Sequence, residues 1–212
     1  MTPRKARPPK GGGSTPGRIF VVGASGASGA RLALRFLGHL LDHPGVEAVH
    51  FVPSDAFRLV LRREEGLELP AALAALGHRR KLVLHGERDL DAPIASGSFP
   101  VHGTVLIPAS MATVGAVAAG AGRNLLHRAA EVALKERRPL IVVPRETPLS
   151  PIHLRNLATL AEAGARVAPF IPAFYGGPRS IEDLLDAFCQ RLLDHLGLAA
   201  TLSPRWGEGT AR

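Results

Sequence analysis

Ile19-Phe20-Val21-Val22 is an unbroken apolar run that passes directly into Gly23-Ala24-Ser25-Gly26-Ala27-Ser28-Gly29 and then into Ala30–Leu41, apolar at helical spacing. This succession constrains the fold more than any other feature. A strand with no polar break is what burial on both faces requires, and parallel strands return only through a long, usually helical crossover. The unit recurs down the chain. Strands are predicted at Val46–Val52, Leu82–Leu84, Val105–Ile107, Leu140–Val143 and Arg166–Phe170. Helices are predicted at Asp55–Arg63 with Leu59 and Val60 inward, Val114–Ala119, Leu125–Arg137 capped by Asn124, Ile152–Ala163 and Ile181–Leu196. The alternation predicts an α/β fold, a three-layer doubly wound parallel sheet.

Composition excludes several classes. Cys189 is the only cysteine, so a disulfide framework and a cysteine zinc site are both ruled out. With 46% hydrophobic residues the chain is no disordered polymer, yet no apolar window reaches membrane-spanning length. The N-terminus has no apolar signal core, and a cytoplasmic location is expected. His39 and His43 stand at i, i+4, but no third ligand is near, and no metal is expected.

The chain has 26 basic and 18 acidic residues, a formal charge of +8, which by itself suggests a polyanion. Its placement argues otherwise. Residues 1–17 hold Arg4, Lys5, Arg7 and Lys10 with no acid, and eight of those seventeen residues are Pro or Gly. They read as a flexible basic tail, leaving 22 bases against 18 acids elsewhere. No aromatic residues interleave with the tail's bases, so stacking on nucleic acid is unsupported, and no nucleic-acid or membrane partner is expected.

Open parallel sheets bind ligands beyond the carboxyl ends of their strands. The polar residues gather there: Gly23–Gly29, Ser54-Asp55, Ser110–Thr113 and Arg145-Glu146. A glycine loop entering a helix admits a phosphate to the helix N-terminus, which fits NAD(P), FMN or a simple tight turn. The short-chain dehydrogenase pattern fails, since Tyr175 has Arg179 four residues on, across Gly176-Gly177-Pro178. Asp55 is compatible with a ribose contact, so the residues alone leave the cofactor open.

Several motifs in order carry a resemblance. They are Gly23-Ala24-Ser25-Gly26, Ala92-Pro93-Ile94-Ala95-Ser96-Gly97-Ser98, Pro108-Ala109-Ser110-Met111-Ala112-Thr113 and the run from Asn124 to Leu140. Pro144-Arg145-Glu146-Thr147-Pro148, Pro172-Ala173-Phe174-Tyr175 and Pro204-Arg205-Trp206-Gly207-Glu208 complete it. From about Arg18 to Glu208 the chain resembles the flavin prenyltransferases of the UbiX type. The resemblance implies a flavodoxin-like or Rossmann-like flavoprotein domain over residues 18–198, with a C-terminal extension over 199–212 that contributes Trp206. It further implies a homo-oligomer, usually a dodecamer. The implied reaction moves a dimethylallyl group from dimethylallyl phosphate to reduced FMN, at N5 and then C6, without a metal. The product, prenylated FMN, is the cofactor of UbiD-type decarboxylases, with a link to ubiquinone biosynthesis.

The resemblance also implies roles. Gly23, Ala24, Ser25, Gly26, Ser54, Ser110, Met111, Ala112, Thr113 and Arg128 would bind FMN, with Ser25 facing N5. Lys135, Arg145 and Arg191 would hold the substrate phosphate, with Tyr175 donating its hydroxyl and Glu146 accepting a proton. Ionising an allylic phosphate needs such cations and donors on the departing oxygens. Glu64 matches an acid/base glutamate near the flavin. Leu90 and Trp206 would wall the prenyl pocket; many relatives have an aromatic at Leu90, which thins the π-surface around an allylic cation here. Two other functions are compatible with the fold: a non-catalytic FMN-binding partner subunit of a decarboxylase, and a flavin-dependent cysteine decarboxylase. The second needs a His base and an Asn-rich clamp, where this chain has its Lys-Glu-Arg-Arg and Arg-Glu clusters.

Overall fold

The computed structural model describes residues 17–207. Residues 1–16 of the tail expected over 1–17, and residues 208–212 of the extension expected over 199–212, lie outside the described part. Six parallel strands form one sheet: β1 (Arg18–Ala24), β2 (Val46–Pro53), β3 (Leu82–Leu84), β4 (Gly103–Ala109), β5 (Leu140–Pro144) and β6 (Arg166–Val167), in the order β3-β2-β1-β4-β5-β6. That is the order of a Rossmann-like doubly wound sheet, whose direction of winding reverses between β1 and β4.

The helices are α1 (Ala30–Asp42), α2 (Asp55–Glu65), α3 (Leu69–Ala74), α4 (Met111–Ala118), α5 (Leu125–Lys135), α6 (Pro151–Glu162) and α7 (Ile181–His195). Two apolar clusters sandwich the sheet. On one face Phe36, Leu37, Leu40 and Leu41 of α1 meet Cys189, Leu192 and Leu193 of α7 over Phe20, Val22 and Phe51. On the other, Leu126, Ala129 and Ala130 of α5 meet Val114 and Val117 of α4 over Val21, Val52, Leu106 and Val142. Alternate residues of each strand go to opposite faces, as a doubly covered sheet requires. Burial of each Leu or Phe contributes about 1.5–3 kcal/mol. Asp186 of α7 ties the first layer further, accepting two bonds of 2.6 Å from Arg35 and lying 2.7 Å from His39 of α1.

Three local expectations change. Leu59 is 54% exposed, because Phe57 and Leu61, four residues apart on α2, form its buried face and Leu59 lies between them on the other side. The strand predicted over Arg166–Phe170 is regular only at Arg166–Val167; the Ala168 amide still donates to Val142 O at 2.8 Å, beyond which no strand pairing continues. The short helix α3 is absent from the sequence-based prediction; its six residues bury only Leu69, Ala72 and Leu73. Cys189 is fully buried in the core, as expected, and burial pushes its thiol pKa up. Asn124 does cap α5, its side chain accepting from His127 N at 2.9 Å.

Candidate active site

The loops after β1 and β4 meet at the point where the winding reverses. Ser25 is 4% exposed; its amide and its hydroxyl both donate to Pro108 O, at 3.0 and 3.1 Å, and its Oγ accepts from Ser110 N at 2.7 Å. Ser54, just after β2, donates its amide to Ala24 O and caps α2 by accepting from Phe57 N at 3.0 Å. Ser110 caps α4, accepting from Thr113 N and donating to Thr113 Oγ1 at 3.2 Å. The first-turn amides of Met111 and Ala112 have no acceptor within their own helix. Gly23, Ala24, Ser25, Gly26, Ser54 and Ser110–Thr113 are therefore brought to one crevice. Its buried hydroxyls and unclaimed amides fit a phosphate ester with a polar ring edge, as FMN has.

The glycines in the first loop answer to packing. A Cβ on Gly26 would stand 2.4 Å from the Cβ of Ala56, and one on Gly23 would stand 2.8 Å from Leu126 Cγ. Gly29 has φ 115°, which brings the chain into α1 in a conformation that favours glycine.

Glu64, from the last turn of α2, takes the N-terminus of α1. Its Oε2 accepts from Gly29 N at 3.0 Å and Ala30 N at 2.9 Å. The helix end that the sequence assigned to a phosphate is thus held by a side-chain carboxylate. Partial burial raises the Glu64 pKa; hydrogen bonds from the Ser28 hydroxyl and the amides of Ala30 and Gly29, with the charge of Arg145, outweigh it and hold it below its ordinary value. Ser28 was not singled out in the sequence; a hydroxyl in a glycine loop was the available signal.

Arg145 and Glu146 follow β5, and both side chains are exposed although the strand itself is buried throughout. The Arg145 amide donates to Ala109 O at 3.0 Å, fixing this loop against the crevice. With Ser28, Pro108, Phe170, Ile181 and Leu185, Arg145 lines a largely apolar cavity of about 350 Å³. Glu146 Oε1 accepts from Thr147 N at 3.0 Å.

The other assigned residues lie elsewhere on the chain. Tyr175 and Arg191 share a groove of about 380 Å³ beside β6, with Phe188 and His195. Trp206 packs edge-on against Tyr175, ring centres 5.4 Å apart at 85°. No residue lining this groove also lines the cavity beside Arg145. Leu90 is exposed on the loop after β3, while Trp206 and Tyr175 pack together beside the β6 groove.

Lys135 is the last residue of α5, which leads back to the start of β5; it pairs with Glu136, and its Nζ lies beside Gly97. It therefore stands at the amino edge of the sheet, a strand length from Ser25, roughly 20 Å at about 3.3 Å per residue. Arg128 sits in the first turn of α5, its Nε donating to Ala95 O at 2.9 Å. No group of three or more metal-ligating side chains is found among the described residues. Nor is any helix there long and apolar enough to cross a membrane.

A Flavoprotein family model matches residues 12–193. The flavin prenyltransferase UbiX of Synechocystis is 43% identical over 202 residues, covering 90% of this chain and 96% of that one. The solved structure of AnUbiX (PadA1) in complex with FMN and dimethylallyl pyrophosphate superposes with a TM-score of 0.82 at 39% identity, covering 90% of this chain and 97% of that one. A dodecameric FMN-dependent UbiX-like decarboxylase from Escherichia coli O157:H7 has the same TM-score at 37% identity, with coverages of 89% and 98%. With this level of identity across nearly the whole fold, the chain belongs to the UbiX family of flavin prenyltransferases.

Proposed function

We propose that this protein transfers a dimethylallyl group from dimethylallyl phosphate to reduced FMN and passes the prenylated flavin to a UbiD-type decarboxylase. The observation that carries this reading is the pairing of an FMN-compatible crevice at Ser25 and Ser110 with a separate Tyr175–Arg191 groove suited to a small phosphate ester. Reduced FMN supplies the nucleophilic N5 and C6. Gly23, Ala24, Gly26, Ser54, Met111, Ala112, Thr113 and Arg128 hold the flavin, and Ser25 faces N5. Arg145, Arg191 and Lys135 neutralise the departing phosphate, Tyr175 donates to it, and Glu146 takes up a proton. Glu64, already hydrogen-bonded at the mouth of the crevice, handles the proton of ring closure. Leu90 and Trp206 shield the prenyl chain from water.

One chain does not bring this set together: Lys135 ends α5 at the amino edge of the sheet, and the Tyr175 groove shares no lining residue with the cavity beside Arg145. A homo-oligomer supplies them from neighbouring copies; a UbiX-like relative is dodecameric. The unpaired Cys189 and the need for reduced flavin suit a reducing compartment, the cytoplasm. Incubation of the full chain with reduced FMN and dimethylallyl phosphate, followed by mass spectrometry of the flavin, tests the reading. A gain of one C5H8 unit is expected; an unchanged flavin mass rejects it.

A further inference from the structure

The segment after α7 does not trail free of the domain. Gln190, on α7 and only 3% exposed, makes three bonds to this segment: its Oε1 accepts from Leu202 N at 2.6 Å and Ser203 N at 3.0 Å, and its Nε2 donates to Ser203 O at 3.0 Å. One turn further on, Asp194 accepts two bonds from Arg205, at 2.7 and 2.8 Å. The next residue is Trp206, packed edge-on against Tyr175. Arg191, adjacent to Gln190 on α7, lines the groove with Tyr175.

A buried amide with all its bonds on one strap is costly to leave unpaired, so the strap is held in one place. We propose that Gln190 is a positioning residue: with Asp194 it clamps the 199–207 strap onto α7 and thereby sets Trp206 against Tyr175 at the prenyl-donor groove. The proposal rests on the reading of that groove as the donor site. Gln190 touches no reacting atom. Its effect is to keep the donor-competent arrangement populated, and apparent donor affinity scales with that population.

The chain has one tryptophan, Trp206, and one tyrosine, Tyr175, so tryptophan fluorescence reports on the strap alone. In the full-length protein, Gln190→Leu is expected to lower the fluorescence anisotropy of Trp206. It should also raise KM for dimethylallyl phosphate about tenfold, the loss expected if the clamped fraction falls to about one tenth. The rate at saturating donor and the affinity for FMN should change less than about twofold, as an interaction that acts only on donor binding implies. Gln190→Glu keeps an acceptor for both amides and should lie between wild type and Gln190→Leu. Should Gln190→Leu fail to fold, Asp194→Ala breaks the outer clamp from the surface and should move anisotropy and KM the same way. Unchanged anisotropy in these variants overturns the clamp. Trp206→Ala and Tyr175→Phe separate the two ideas. If both leave the donor KM unchanged, the groove is not the donor site; if they raise it while Gln190→Leu does not, the positioning role fails alone.

Discussion

Glu64 Oε2 accepts the backbone amide of Ala30 at 2.9 Å, so the carboxylate closing α2 is also the cap of α1. The sequence neighbours of Ala30, Gly29 in particular, have no capping side chain of their own. A residue 34 positions away does that work, and its negative charge is well placed at the positive end of the helix.

Glu64 caps α1, and the proposed function gives it a second, separable role as a proton handler. Glu64→Ala should lower stability by about 1 kcal/mol through loss of the cap. Glu64→Gln keeps an acceptor and should melt close to wild type while turnover falls by roughly a hundredfold or more. Calorimetry and steady-state kinetics on the two variants check this. Because the Glu64 pKa is lowered on folding, its ionised form stabilises the fold above the ordinary carboxylate range. That contribution is lost as the pH falls through the lowered value.

Lys135 and Arg145 lie at opposite edges of one sheet, at the end of α5 and after β5. If both hold the same phosphate, they come from different copies. Lys135→Ala and Arg145→Ala should each be nearly inactive. Co-expressed, they should recover roughly a quarter of wild-type activity, since randomly mixed subunits leave about that share of sites with both cations. Mixed oligomers with no recovery would place the two cations in separate functions.

His50 Nδ1 and His85 Nε2 are 2.8 Å apart, rings stacked at 8°, with Phe99 edge-on to His50 and Asp89 3.4 Å from the other nitrogen of His85. Burial first, and then His85, push the His50 pKa down to about 4. A base whose pKa falls on folding stabilises the fold when neutral. Stability should be full above the unfolded value near 6.5 and should drop as the pH falls from there towards about 4, by at most on the order of 3 kcal/mol. Urea titrations across this range should show the slope, and His50→Asn should flatten it.

Gly26→Ala would place a methyl carbon 2.4 Å from the Cβ of Ala56. The Ala56 Cβ is fixed to the helix backbone and cannot swing aside, so the loop must move off α2, at about 1–3 kcal/mol. FMN affinity should fall with it, because Ser25 and Ser54 flank the same contact. Equilibrium flavin titration and thermal unfolding measure the two effects; normal values for both would show that the loop is freer than its packing indicates.

The parallel sheet was legible because its information is local. Unbroken runs such as Ile19–Val22 and Val105–Ile107, with glycine or serine at their ends, specify strands buried on both faces and polar loops at the carboxyl edge. Ser25, Ser54 and Ser110 were found that way: in a parallel sheet every strand end points to the same edge. Leu59 was misplaced because two adjacent apolar residues do not by themselves say which side of a short helix is buried. Lys135, Tyr175, Arg191 and Trp206 carry recognisable chemistry, yet no spacing in the chain shows that they lie away from Ser25. That follows from strand and helix directions: a helix returning to the next parallel strand takes its last residue to the amino edge. Only the tertiary structure decided that Glu64 caps a distant helix, that Gln190 holds the strap bearing Trp206, and that Lys135, Arg145 and Arg191 stand at separate places on one chain. Side-chain period and turn chemistry act over a few residues. These relationships depend on where whole elements stop and face, which packing of the sheet and its two helical layers settles.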